Sequence, residues 1–249
     1  MSAEETEELL PHIFRVLPLG DQPPFQQEVR NGIRYELDPP KGSVPPPKVE
    51  VLTDSKPMVQ AHGKLLPFRL RLCSPSPLRR IKVGHEKALP IQIHGGEPWG
   101  ILPLSEGQRS MIVAWRSPNT PWERPRFMAL EDGPAAVPSE SVRFLNLSGV
   151  PVGLQWGNSK FGLKPGKLVV HPFPEKAKRV VLTVFVPSAD GEFQQTFSNV
   201  VVRDSSKMHQ YFIYQTDGKG PRPPVRVVPL IEDRRSLSMP IDPASDANP

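Results

Sequence analysis

From about residue 49 into the 230s, apolar and polar positions alternate in short runs that Gly, Pro, Asn and Ser cut apart. VEVLT, PFRLRLC, RRIKVG, LPIQIH, SMIVAW, RFMAL, VRFLNLS, VGLQW, LVVHPF, RVVLTVFV, FQQTFSNVVV, QYFIYQ and VRVVPLI follow one another in this way. A period of two sends successive side chains to opposite faces of a strand, and a spacing of roughly 8 to 14 residues between runs suits a sandwich or barrel. Strand candidates do not alternate with helical segments of about 10 to 15 residues, which disfavours a parallel βαβ sheet. The pattern predicts an all-β, antiparallel β-sandwich protein built as two tandem immunoglobulin-like modules.

The flanks read differently. Residues 1 to about 20 fit a short helix, with Ser2 and Glu5 at capping-box spacing, as well as they fit a strand over HIFRVLPL, because short apolar runs are ambiguous by period alone. FQQEV and IRYEL flank Asn31-Gly32, the strongest short-range hairpin signal, so a β-hairpin is expected at about 25 to 37. DPPKGSVPPPK (38–48) and GKGPRPPVR (218–226) favour polyproline II and read as straps or spacers. The expected organisation is an N-terminal arm with hairpin and Pro-rich strap (1–48), a first module (49–137), a second module (138–232) and a flexible C-terminal tail (233–249). FRLRLCSPSPLRRIKVG (68–84) and VRFLNLSGVPVGLQWG (142–157) resemble each other enough to raise a duplication. Within 142–173, Phe144, Leu154, Trp156, Leu168 and Val170 are expected to face inward, with Lys164-Pro165-Gly166 as a type II turn.

Composition sharpens this picture. The chain has 33 prolines among 249 residues, against a usual proline content of roughly 5%, so long helices are unlikely to form. No run of about 20 apolar residues is present to make a membrane-spanning helix. The acidic start MSAEETEE has no basic n-region and shows no export signal, though SAEETEE reads also as the polar beginning of a processed chain; an extracytoplasmic setting is preferred on architecture, with a cytoplasmic one as the alternative. Cys73 is the single cysteine, which excludes an intrachain disulfide and a multi-cysteine zinc site and reads as a small buried hydrophobe.

Candidate chemistry is sparse. The six histidines are scattered, no HExxH, GxSxG, Walker or dinucleotide fingerprint occurs, and GEPWG (96–100) reads as a turn. No metal and no cofactor are expected, and the chain is read as a non-enzyme. Charge is more informative: the formal net charge is +5, and Arg69, Arg71, Arg79, Arg80, Lys82 and Lys87 cluster with little acid between them. If RRIKVG pairs beside FRLRLC, these residues form a basic sheet face for phosphate or carboxylate. Trp99, Trp115 and Trp122 lie in or near a Pro- and Arg-rich stretch whose composition suits a carbohydrate or protein contact. Asn146-Leu147-Ser148 matches a glycosylation sequon inside an expected strand and is discounted.

The expected role is therefore a non-catalytic structural or protein-interaction protein, with the cell envelope as its expected setting and a protein partner or self-association. The first alternative is a binding module for an anionic polymer such as a glycan, lipid head group or, less favoured, nucleic acid. The second is a glycan hydrolase using loop carboxylates.

Overall fold

The computed structural model describes residues 10–53, 65–83, 88–188, 190–218 and 224–238. Two compact units divide between Asp132 and Gly133, with Ser117–Asn119 grouped with the second. Unit 1 runs β1 (Leu10–Leu19), β2 (Gln27–Arg30), β3 (Ile33–Glu36), β4 (Lys48–Leu52), β5 (Leu65–Arg69), β6 (Arg79–Val83), β7 (Ala88–Ile93), β8 (Pro98–Pro103), β9 (Arg109–Trp115) and β10 (Arg126–Glu131). Unit 2 runs β11 (Ser141–Asn146), β12 (Val152–Trp156), β13 (Ser159–Leu163), β14 (Leu168–Pro172), β15 (Arg179–Pro187), β16 (Phe193–Val202), β17 (Lys207–Gln215), β18 (Val225–Asp233) and a short helix, α1 (Arg234–Ser238). The all-β sandwich expected from the alternation is what forms.

Unit 1 pairs its strands as β10-β9-β1-β6 and β5-β4-β7-β8, and unit 2 as β14-β11-β17-β18 and β13-β12-β15-β16. With β2 and β3 set aside, these are the same order twice. In both units the first strand lies between the fourth and the seventh, and the second between the third and the fifth. In both, the first and seventh strands run parallel (β1 with β9, β11 with β17) and every other pair is antiparallel. The repeat is thus one of topology, and its frame differs from the one suggested by residues 68–84 and 142–157. The former stretch covers the end of β5 through β6 and the latter covers β11 and β12, which are not equivalent strands.

Several expectations are corrected. The first 48 residues are not a separate arm, because β1 is an interior strand of unit 1, with Phe14 and Val16 in its core. The strand reading of residues 10–19 therefore replaces the helix, while Ser2 and Glu5 lie outside the described residues. The C-terminal segment is not extended at its start: Arg234 donates to the carbonyls of Pro134, Val137 and Pro138 at 2.8–3.1 Å, and Leu237 packs with Val137 and Met208. The tail from residue 239 and the Pro-rich residues 219–223 lie outside the described residues. Cys73 is exposed rather than buried. It falls on the exposed side of the alternation Leu70, Arg71, Leu72, its φ of 57° is left-handed, and its N–H donates to the Pro18 carbonyl, clipping a turn onto the end of β1.

Leu168 and Val170 face away from the core, because Phe144 opposes Val169 in the β11–β14 register, leaving Leu168 exposed. GEPWG is only in part a turn: Gly95 and Gly96 bend the chain, and Pro98 already begins β8. β8 and β13 had no clear alternation, and both are edge strands. An edge strand needs one ladder only, so it admits Pro98, Pro103 and the glycines of GNSKFGL, which obscure its alternation. The Lys164–Lys167 turn forms as expected, with the Lys167 N–H donating to the Lys164 carbonyl at 3.1 Å and Gly166 at φ 70°.

Each first strand carries a buried arginine between two core-facing residues. Arg15 lies between Phe14 and Val16, and Arg143 between Val142 and Phe144. Arg15 meets the carboxylate of Asp132, whereas Arg143 donates to the amide oxygen of Gln210 at 3.1 Å. In unit 2, His209 is also buried, with its ring edge-on to Phe173 at 5.5 Å. Burial is the main cause holding its basicity below the usual value, with Asp204 partly opposing. The unfolded chain then binds a proton below about pH 6.5 that the folded chain refuses, so stability falls as pH drops through that value. Urea unfolding followed at Trp156 should show unit 2 weakening from pH 7 to pH 5.5, and His209→Gln should flatten that slope. An unchanged slope in the variant would place the acid sensitivity elsewhere.

Candidate interaction surface

The basic residues do not assemble as expected. Arg69 ends β5 and Arg71 follows it, while Arg79, Arg80 and Lys82 lie on β6, which belongs to the other sheet of unit 1 and pairs with β1. Arg69, Arg71, Arg80 and Lys82 are exposed and Arg79 is partly buried, so these cations sit on edge strands of two different sheets. Lys87 lies outside the described residues.

Two of the three tryptophans are structural. Trp99 and Trp122 are buried in the unit 1 core, and the Trp99 indole N–H donates to the Trp122 carbonyl at 2.6 Å. Trp99 also meets Phe127 edge-on at 5.4 Å. Neither presents a ring to a sugar or a peptide, which corrects the contact-surface expectation for both. Trp115, at the end of β9, is half-buried.

One arrangement looks chemical at first sight. His12 Nε2 lies 2.8 Å from the Ser110 hydroxyl, which lies 2.9 Å from the Ser105 hydroxyl. Ser110 is fully buried and accepts a 2.8 Å hydrogen bond from the Ser105 N–H. A serine nucleophile needs a lone pair facing substrate and space for a tetrahedral adduct, and this hydroxyl has neither. The chain of hydrogen bonds joins β1, β9 and the residues just before β9. Among the described residues, no group of three His, Cys, Asp or Glu side chains is placed to hold a metal, and no helix is long and apolar enough to cross a membrane.

The feature that sets unit 1 apart is the connection between its first two sandwich strands. In unit 2, residues 147–151 join β11 to β12 in one tight turn. In unit 1, residues 20–47 make the equivalent connection, and they carry the β2–β3 hairpin and the proline strap. Unit 2 closes its sandwich without such an insertion; in unit 1 the strap is tied to the core by a 2.8 Å hydrogen bond from the Trp122 N–H to the Gly42 carbonyl, whereas the strands of the hairpin are almost wholly exposed.

Their local structure follows from sequence. Asn31 and Gly32 hold φ of 51° and 79°, the left-handed pair of a type I′ turn, which suits Asn-Gly and matches strand twist. Pairing runs from Arg30–Ile33 out to Gln27–Glu36, and the Leu37 N–H continues it to the Gln26 carbonyl at 3.0 Å. No other strand covers either edge of this hairpin among the described residues. Phe25, Val29, Ile33, Tyr35 and Leu37 are left 38% to 63% exposed. At the hairpin base, Pro23, Pro24, Phe25 and Leu37 wall a groove of about 470 Å³, with Leu70 and Leu72 also lining it and Glu36 and Asp38 contributing carboxylates. Arg30 pairs with Glu28 at 2.6 Å and lies 6.0 Å from the Tyr35 ring centre.

Sequence reasoning located the hairpin and missed its role as a surface. The signal was available: five large apolar residues within thirteen, bounded on both sides by prolines and with no neighbouring run to cover them. No protein-family model and no curated protein sequence matches this chain.

Proposed function

We propose that the protein is a non-catalytic interaction module of two immunoglobulin-like sandwiches, and that it contacts its partner through the insertion at residues 20–47. The observation that carries this reading is the exposed apolar hairpin. A lone two-stranded hairpin is at best marginally stable in water, and clustered apolar exposure marks association sites. The burial of Trp99 and Trp122 in the unit 1 core supports this reading over a sugar contact through those two rings. A structural role in the cell envelope belongs to the same proposal and rests on architecture alone.

The test is position-specific photo-crosslinking in the native host, with a benzophenone amino acid replacing Phe25 or Val29 and, as control, the exposed Val181 of unit 2. Discrete adducts from the hairpin positions and none from the control are expected. Failure of every position between 25 and 37 to give an adduct would sink the proposal.

A further inference from the structure

We infer that the partner seated on β3 is a second copy of this chain, joined through antiparallel pairing of β3 with its own symmetry mate. This deepens the interaction reading above and rests on it.

The backbone comes first. In a hairpin closed by a two-residue turn, the residues flanking the turn exchange hydrogen bonds, and the exchange recurs at every second pair. Arg30–Ile33 and Glu28–Tyr35 are therefore turned towards each other, and the Leu37–Gln26 bond continues the same rhythm. The N–H and C=O groups of Arg34 and Glu36 consequently point outward from β3. All four β3 residues are exposed, and β2 is its sole strand neighbour among the described residues. An unpaired row of this kind is a template for strand addition.

The side chains then choose the register. With a two-fold axis through Tyr35, Arg34 stands opposite Glu36 of the second copy, and Glu36 opposite its Arg34. These are the residues whose backbone groups point outward, so each of the two pairs closes a hydrogen-bonded ring. On the other face Tyr35 meets Tyr35, and Ile33 meets Leu37. Six apolar side chains thus form one continuous patch across the two copies, while opposite charges meet on the reverse face. Shifting the axis to Arg34 places like charges opposite each other. Pairing through β2 centres on Val29 alone and uses Glu28 and Arg30, which already pair with each other.

The interface is small, so the association is weak and depends on concentration. Sedimentation velocity of the full chain from low micromolar to near-millimolar concentration should show a monomer–dimer equilibrium. Arg34→Glu and Glu36→Arg should each weaken it at least about tenfold, since each sets like charges opposite at two symmetric places. The double variant carrying both changes should recover to within about threefold of the original, because it restores Glu–Arg pairs in the same register. Both residues are exposed on a hairpin outside the core, and the thermal midpoint of each variant checks that the fold is kept. A monomer at every concentration overturns the inference, as does a dimer indifferent to both single changes or a double variant without rescue. Crosslinks to a different protein by a strictly monomeric chain would overturn the second copy as partner and leave the interaction module standing.

Discussion

Asp132→Ala is expected to destabilise unit 1 by about 3–5 kcal/mol, the usual effect of deleting one partner of a buried ion pair. The Asp132 side chain is wholly buried and that of Arg15 is 4% exposed, with the guanidinium bridging both carboxylate oxygens at 2.7 and 2.9 Å. Arg109 stands close enough for burial to lower its basicity, with Asp132 attracting and Arg15 repelling its charge. Removing the carboxylate leaves the buried Arg15 guanidinium without its bidentate partner and beside the partly buried Arg109. The readout is urea unfolding with the two units resolved, since Trp156 reports unit 2 and Trp99, Trp115 and Trp122 report unit 1. The Trp156 transition should hold while the other moves. Replacing both partners, Arg15→Met with Asp132→Leu, should recover much of the loss, because the burial cost of both charges disappears with them. A loss below about 1 kcal/mol in the single variant would mean that water reaches the pair.

Asn146→Ala should cost unit 2 about 2 kcal/mol, at roughly 1 kcal/mol each for the Leu163 carbonyl and the Ser148 N–H, while the Ser148 hydroxyl and the Val150 carbonyl keep each other at 2.9 Å. The fully buried amide donates to the carbonyls of Val150 and Leu163, each at 2.9 Å, and accepts from the Ser148 N–H and hydroxyl at 3.0 and 2.6 Å. It ties the β11–β12 turn to the end of β13. Asn146→Asp is expected to be no milder, since a carboxylate offers no donor to either carbonyl and brings a charge into the interior. The Trp156 transition reads the effect, and a change within a few tenths of a kcal/mol would show that the turn relaxes around the loss. The same geometry disposes of the glycosylation sequon, because the nitrogen that a glycan would occupy is buried and engaged.

The fold was legible wherever a strand has one covered face, because burial imposes the alternation directly. Phe144, Leu154 and Trp156 illustrate this, and so does the β15 run from Val180 to Val186. Two edge strands escaped, β8 and β13, because proline in one and glycine in the other interrupt the alternation that the remaining edge strands keep. The place of β1 was hidden for another reason: its pairing with β9 joins residues far apart in the chain, and no local period records such a partner. The duplicated strand order was likewise invisible, because the two units share connections rather than residues.

The candidate site was half legible. Asn31-Gly32 announced the hairpin, yet alternation ordinarily implies a covered face, and the prolines on either side were the one local sign that Ile33 and Tyr35 have no cover. Arg69 and Arg71 are both exposed, as alternation expects, but no local pattern tells that Arg80 and Lys82 belong to another sheet.

The parallel pairing of β1 with β9 has a consequence for synthesis. β1 leaves the ribosome well before its partner β9, the seventh sandwich strand of its unit, and until then one whole side of its backbone ladder stays open. Until Trp115 is translated, LPHIFRVLPL is an apolar strand with at most its β6 neighbour, and the insertion between β1 and β4 lengthens that wait. Unit 2 repeats the arrangement with a turn in place of the insertion. The half that carries the hairpin is therefore the half that spends longest vulnerable to other chains.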